Sequence, residues 1–114
     1  METNQLGFQP EYQEETITFA EVSKLTGLTL LEFGAPWCPH CQLGSELVQA
    51  TFAEYKEFNA LRHIKVFDGK GKRLGRAFKV KLWPTLILLK DGDEVAREVR
   101  PTQLQSVQQL LPTK

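Results

Sequence analysis

The run Leu28-Thr29-Leu30-Leu31-Glu32-Phe33 constrains this chain more than any other stretch. Apolar residues fill both parities of the run except at Thr29 and Glu32, the pattern of a strand covered on both faces of its sheet. Such a strand needs helices on either side, and the rest of the chain supplies them. Gly34-Ala35-Pro36-Trp37 breaks the strand. From Cys41 to about Asn59, Leu43, Leu47, Val48, Phe52 and Tyr55 recur as one apolar stripe of a helix, weakened slightly in its first turn by Gly44. Ile64-Lys65-Val66-Phe67 reads as a second strand ended by Asp68-Gly69, and Leu74, Ala77 and Phe78 mark a short basic helix. Thr85 to Leu89 reads as a third strand, Asp91-Gly92-Asp93 as a hairpin turn and Glu94 to Val99 as the return strand. Pro101 opens a last helix with Leu104, Val107 and Leu111 inward, and Thr102 with Gln105 has the spacing of a capping box. Upstream, Ile17 to Phe19 reads as a short strand and Ala20 to Leu25 as a short helix stopped by Gly27. The order predicts an α/β domain: a mixed sheet of parallel strands plus a C-terminal antiparallel hairpin, with helices on both faces. The polar residues 1–15 read as a flexible arm ahead of a single domain over 16–114.

The only two cysteines, Cys38 and Cys41, fall where the central strand hands over to the long helix. A Cys-x-x-Cys pair at that junction reads as a thiol–disulfide centre. The nucleophile in thiol–disulfide exchange is the thiolate, and an ordinary thiol releases its proton only near pH 8.5, so the anion needs support. A helix starting here puts Cys38 at the N-cap and Pro39 at the first helical position, where proline is favoured. The Cys38 sulfur then accepts hydrogen bonds from free N–H groups of the first turn, and the helix dipole adds a positive end. His40 can donate a hydrogen bond or a charge to the same sulfur. Cys41, one turn further in, is the more shielded thiol. Cys38 is therefore expected to attack a substrate disulfide and Cys41 to resolve the mixed disulfide. Zinc asks for about four ligands, and this pair with His40 and His63 is the most the chain offers, so no metal is expected. Closing so short a loop removes little chain entropy, which argues against a purely structural disulfide, and a redox-inert relic is the remaining bland alternative. No cofactor is expected beyond a redox-active Cys38–Cys41 disulfide.

Lys plus Arg equals Asp plus Glu, at 14 each, so the charge balance gives no reason to expect nucleic acid or an anionic membrane as partner. The basic residues cluster from Lys70 to Lys81, which reads as a solvated helix face or as a surface for acidic partners. The first residues have neither a basic nor an apolar signal region, and no apolar stretch has the length of a membrane span. The expected setting is cytoplasmic and the expected state a monomer.

From about Leu28 to Leu111 the chain resembles the thioredoxin family. The match is carried by Leu31-Glu32-Phe33, by Ala35-Pro36-Trp37-Cys38-Pro39-His40-Cys41 and by Trp83-Pro84-Thr85-Leu86-Ile87-Leu88-Leu89-Lys90-Asp91-Gly92. The resemblance implies a cis Pro84 beside the cysteines and a main-chain docking role for Trp83, with Trp37 and Trp83 flanking a groove. It implies a substrate-binding set of Trp37, Pro39, Trp83, Pro84 and Arg100. Glu32 takes the place of the family's buried aspartate, with a proton-relay role toward Cys41, directly or through a water. Lys65 is a candidate for the family's lysine partner, although the strand register can instead turn Ile64 inward. Arg100 or Pro101 replaces a small glycine that opens the groove, and no proline kinks the long helix. Pro39-His40 between the cysteines is similar to the pair of strongly oxidising relatives, which implies a more oxidising couple.

The function expected is a protein-disulfide oxidoreductase, reducing substrate disulfides and recycled by a reductase or thiol donor. An oxidant or isomerase of protein thiols is the alternative within the same chemistry. A peptide-binding or chaperone-like adaptor using the Trp37/Trp83 groove is the alternative outside it.

Overall fold

A computed structural model describes residues 6–112. Its elements in chain order are α1 (Phe19–Val22), β1 (Leu28–Gly34), α2 (Pro39–Glu54), a 3-10 turn (Lys56–Ala60), β2 (Arg62–Phe67), α3 (Arg73–Ala77), β3 (Thr85–Lys90), β4 (Asp93–Val99) and α4 (Leu104–Leu110). The strands form one four-stranded sheet in the order β2-β1-β3-β4. Only β1 and β2 are parallel; β1–β3 and β3–β4 run antiparallel. The sheet is mixed as expected, with a smaller parallel share, because β3 enters from a loop that reverses its direction.

Both faces of the sheet are covered. Leu31, Phe33, Ile64, Val66, Ile87 and Leu89 pack on one side with Val22, Leu74 and Phe78 from α1 and α3. Leu30, Leu86 and Leu88 pack on the other with Val48 and Phe52 of α2 and Val107 of α4. Each fully buried aliphatic side chain contributes roughly 1.5–3 kcal/mol. On the α2 side this apolar layer gives way to polar residues toward the C-terminal end of β1, where Glu32 stands opposite Lys65 in register.

Several local expectations are corrected. Ile17–Phe19 is not a strand: Ile17 is a buried bend residue, and Thr18 caps α1 in a capping box with Glu21. The capping box expected at Thr102 and Gln105 does not form; Pro101 is buried and α4 begins at Leu104 behind an extended Gln103. The expected stripe holds at Val48 and Phe52, with Leu47 and Tyr55 packed half-buried beside them, but Leu43 faces solvent, and Cys41, Gly44 and Thr51 are buried as well. The arm is not loose where it is described. Residues 1–5 lie outside the described residues, but from Leu6 onward the segment runs along the outer edge of β2. Gly7 N–H donates to Leu61 O at 2.8 Å, Gln13 N–H to Lys65 O at 2.9 Å and Phe67 N–H to Gln13 O at 2.8 Å. Burial of Phe8 and Tyr12 against that edge gives a polar stretch a reason to order.

Candidate active site

The strand–helix junction builds the site. β1 ends at Gly34, and Ala35 O accepts the N–H of Cys38 at 3.3 Å. Cys38 is extended (φ −83°, ψ 118°) and caps α2, with Pro39 at the start of the helix. Its Sγ accepts the N–H of Cys41 at 3.2 Å, the helix-start arrangement expected from the sequence. Both cysteines are free thiols, Cys38 9% exposed and Cys41 1%. Burial, reinforced by the Cys38 sulfur, pushes the Cys41 thiol up to about 12, while the Ala35 backbone and the Tyr12 hydroxyl oppose the rise. The dithiol therefore has one shielded member that holds its proton.

On the outer side, Trp37, Pro39, His40 and Arg100 are exposed, Trp83 is half-buried and Pro84 is buried. Trp37 is 64% exposed and meets Phe67 edge-on at 5.2 Å, so it is a surface ring and not core. Pro39 and His40 are exposed, and among the described residues His40 makes no hydrogen bond to Cys38. The Trp83–Pro84 bond is cis, as the resemblance implies. The Trp83 ring packs against Ala35 and the two cysteines, and its indole N–H donates to Asp68 Oδ2 at 2.9 Å. Gly44 lets the loop approach: a Cβ there would stand 2.8 Å from Pro84 Cγ. Arg100 is the residue at the groove; its N–H donates to Pro84 O and its guanidinium Nε to Trp83 O, both at 2.9 Å. The carbonyl expected to pair with a docked segment is thus already engaged.

On the interior side Glu32 is fully buried and does not meet Cys41 directly. The phenol of Tyr12 packs beside Cys41 and donates to Glu32 Oε2 at 3.1 Å. A Cβ on Gly34 would collide with both the Tyr12 hydroxyl and the Cys41 sulfur, so only glycine leaves room for their meeting. His63 Nε2 lies 2.9 Å from Glu32 Oε1, and His63 Nδ1 accepts the Gln9 N–H at 2.8 Å. With Nδ1 accepting, Nε2 is the nitrogen left to carry the proton to Glu32. Lys65 is the inward residue of β2: its Nζ donates to Pro10 O at 2.9 Å and Ser45 Oγ at 2.6 Å and lies 4.7 Å from the centre of the Tyr12 ring. Burial lowers its pKa, with the Glu32 charge opposing. A cleft of about 280 Å³ lined by Pro10, Tyr12, Cys41, Ser45 and Lys65 opens beside this group.

Tyr12, His63 and Asp68 escaped the sequence reading as site residues. Tyr12 lies in a polar stretch with no periodicity, and Asp68 reads as a strand terminator. Only the parity of β2 relative to Glu32 marks His63 and Lys65 as sharing its face. Among the described residues no three His, Cys, Asp or Glu side chains are grouped to hold a metal, and no helix is long and apolar enough to cross a membrane.

The comparisons with known proteins agree with this geometry. A family model described as Thioredoxin matches residues 11–112. Thioredoxin 2 from Pseudomonas aeruginosa, solved in its reduced form, superposes with a TM-score of 0.75 at 47% identity, over 86% of this chain and 88% of that one. A thioredoxin of Chlamydia trachomatis is 38% identical over 74 residues, 65% of this chain and 70% of its own length. Protein disulfide isomerase-like 1-4 of Arabidopsis thaliana is 30% identical over 90 residues, which is 74% of this chain but 15% of that protein.

Proposed function

The chain belongs to the thioredoxin family and is a thiol–disulfide oxidoreductase, and from that premise we propose that it reduces protein disulfides with Cys38 as nucleophile and Cys41 as resolving thiol. The observation that carries this reading is the N–H of Cys41 aimed at Cys38 Sγ at 3.2 Å across the start of α2. That contact aims a helix-start N–H at the more exposed sulfur, while burial keeps the Cys41 thiol protonated until it is needed. The Cys38 thiolate attacks one sulfur of a substrate disulfide, and the substrate's other sulfur leaves with the bonding pair. Cys41 then attacks Cys38, the mixed disulfide breaks, the second substrate sulfur leaves as a thiol(ate), and the Cys38–Cys41 disulfide remains. A reductase or thiol donor returns the two electrons.

Trp37, Pro39, Trp83, Pro84 and Arg100 form the docking side in this reading, and Glu32 serves the proton of Cys41. His40 is exposed and makes no hydrogen bond to Cys38 among the described residues, so the structure gives no support to the strongly oxidising couple that Pro39-His40 evokes. The working form is a cytoplasmic monomer of one domain. Trapping tests the assignment: Cys41→Ser accumulates mixed disulfides on Cys38, visible by non-reducing electrophoresis and mass spectrometry. Recovery of no covalent partner sinks it. Equilibration of the parent with glutathione tests the direction; a couple at or above the glutathione poise argues for the oxidant or isomerase.

A further inference from the structure

The interior side of the site holds a group that disulfide exchange by two cysteines does not account for. We propose that Tyr12 is the proton carrier of the resolving step, because its hydroxyl donates to Glu32 Oε2 at 3.1 Å and converges with the Cys41 sulfur on the space that a Gly34 Cβ would fill. The proposal rests on Cys41 being the resolving thiol. When Cys41 attacks Cys38, the thiol proton passes to the Tyr12 oxygen while the phenolic proton passes to Glu32. The Cys41 electron pair forms the new S–S bond, and the bond from Cys38 to the substrate breaks with its pair on the substrate sulfur. Tyr12 ends as it began, a neutral phenol with its hydrogen bonds exchanged. Burial and the Glu32 charge raise its pKa, so the ring never has to store a charge.

The surroundings fit a relay. Glu32 is held by the His63 ring at 2.9 Å, and His63 is oriented by the Gln9 N–H at 2.8 Å, making His63 a positioning residue. The charged groups around the phenol come from every neighbouring element: Glu32 from β1, Cys41 from α2, Lys65 from β2 with its ammonium 4.7 Å from the ring centre, and Glu11 from the arm acting on Lys65. A cleft lined by Pro10, Tyr12, Cys41, Ser45 and Lys65 reaches the same group from outside, where the proton on Glu32 can leave only back through the Tyr12 hydroxyl. The arm that carries Tyr12 is pinned to β2 by Gln13, one residue away, so the phenol is fixed by backbone pairing.

The test uses the full-length protein and an aromatic disulfide whose thiolate is coloured. The first thiolate released reports attack by Cys38, and the second reports resolution by Cys41. Tyr12→Phe is expected to slow the second release relative to the first by about a hundredfold, the low end of what positioned proton transfer contributes. Glu32→Gln is expected to do the same, and Tyr12→Phe added to it to cost nothing more. A ring-fluorinated tyrosine in place of Tyr12 keeps the packing and changes only the acidity of the phenol, so it should alter the second release alone. Unchanged second release in Tyr12→Phe and in the fluorinated protein assigns the proton to a cleft water and overturns the proposal, as do losses that multiply in the double variant. Failure of the parent to give a first release refutes the disulfide-exchange reading instead.

Discussion

The two cysteines sit three residues apart, yet they look onto different media. Cys38 lies at the side where Trp37 and Pro39 are exposed and the cis Trp83–Pro84 loop packs in beside it. Cys41 faces a polar interior of Tyr12, Glu32, His63 and Lys65. The groove offers few fixed hydrogen bonds, and the one that Arg100 makes to Trp83 O is exposed and exchangeable with water. The interior has every one of its polar atoms directed at a named partner. A surface of the first kind tolerates many occupants, whereas a network of the second kind fails as a unit when one member is lost. The groups proposed for recognition and for proton handling thus lie on opposite sides of one helical turn.

The contrast breaks most severely at Glu32. Glu32→Leu removes the acceptor of both the Tyr12 hydroxyl and His63 Nε2, each an orphaned donor costing roughly 1–3 kcal/mol. Urea unfolding should show that loss, and release of mixed disulfide should slow. Next comes pH. The folded Cys41 thiol, at about 12, lies above the ordinary thiol value of 9.0, so the folded form binds the proton more tightly than the unfolded chain. The reduced protein then has its full Cys41 contribution below about pH 9, as judged from the unfolded value, and loses it as pH rises toward 12. Thermal scans of the dithiol form across that window should show a falling midpoint. A midpoint flat through the window counts against a shielded Cys41. Gly34→Ala, which drives a methyl into the Tyr12–Cys41 meeting, should cost about 1–3 kcal/mol by overpacking and slow resolution without altering docking. The smallest effect belongs to the groove. Arg100→Gly frees Trp83 O and relaxes a backbone at φ 50° that suits glycine, so KM for a peptide disulfide should fall about two- to tenfold with kcat unchanged. A change in kcat instead would erase the division between the two sides.

The groove was largely legible in the sequence and the interior largely was not. Trp37, Cys38, Cys41 and Trp83-Pro84 announce themselves by type and adjacency, and Glu32 stands out as a carboxyl in an apolar run. Arg100 was visible as a departure at a known place, though its grip on the Trp83 carbonyl was not. Tyr12 contributes through a contact 20 residues away in sequence, which no local pattern encodes. His63 and Lys65 depend on which parity of β2 faces α2, and a one-residue slip would have turned Ile64 there instead. The same limit separates the two capping patterns. Thr18 with Glu21 and Thr102 with Gln105 look alike, and only the first forms, because the chain at Gln103 stays extended (φ −135°, ψ 148°) behind a buried Pro101.

The segment lying along β2 has a further consequence for how molecules of this protein meet one another. A sheet with two bare edges invites another chain to add a strand at either side. Here Gly7, Gln13 and Phe67 already exchange hydrogen bonds across the β2 edge, so that side has little left to offer a newcomer. The opposite edge, β4, carries Asp93, Glu94, Arg97 and Glu98 within its seven residues, and Glu94 and Arg97 are locked together at 2.7 Å. A docked strand would have to bury those charges. One border is occupied and the other guarded, which protects the sheet from being drawn into a growing stack with other chains.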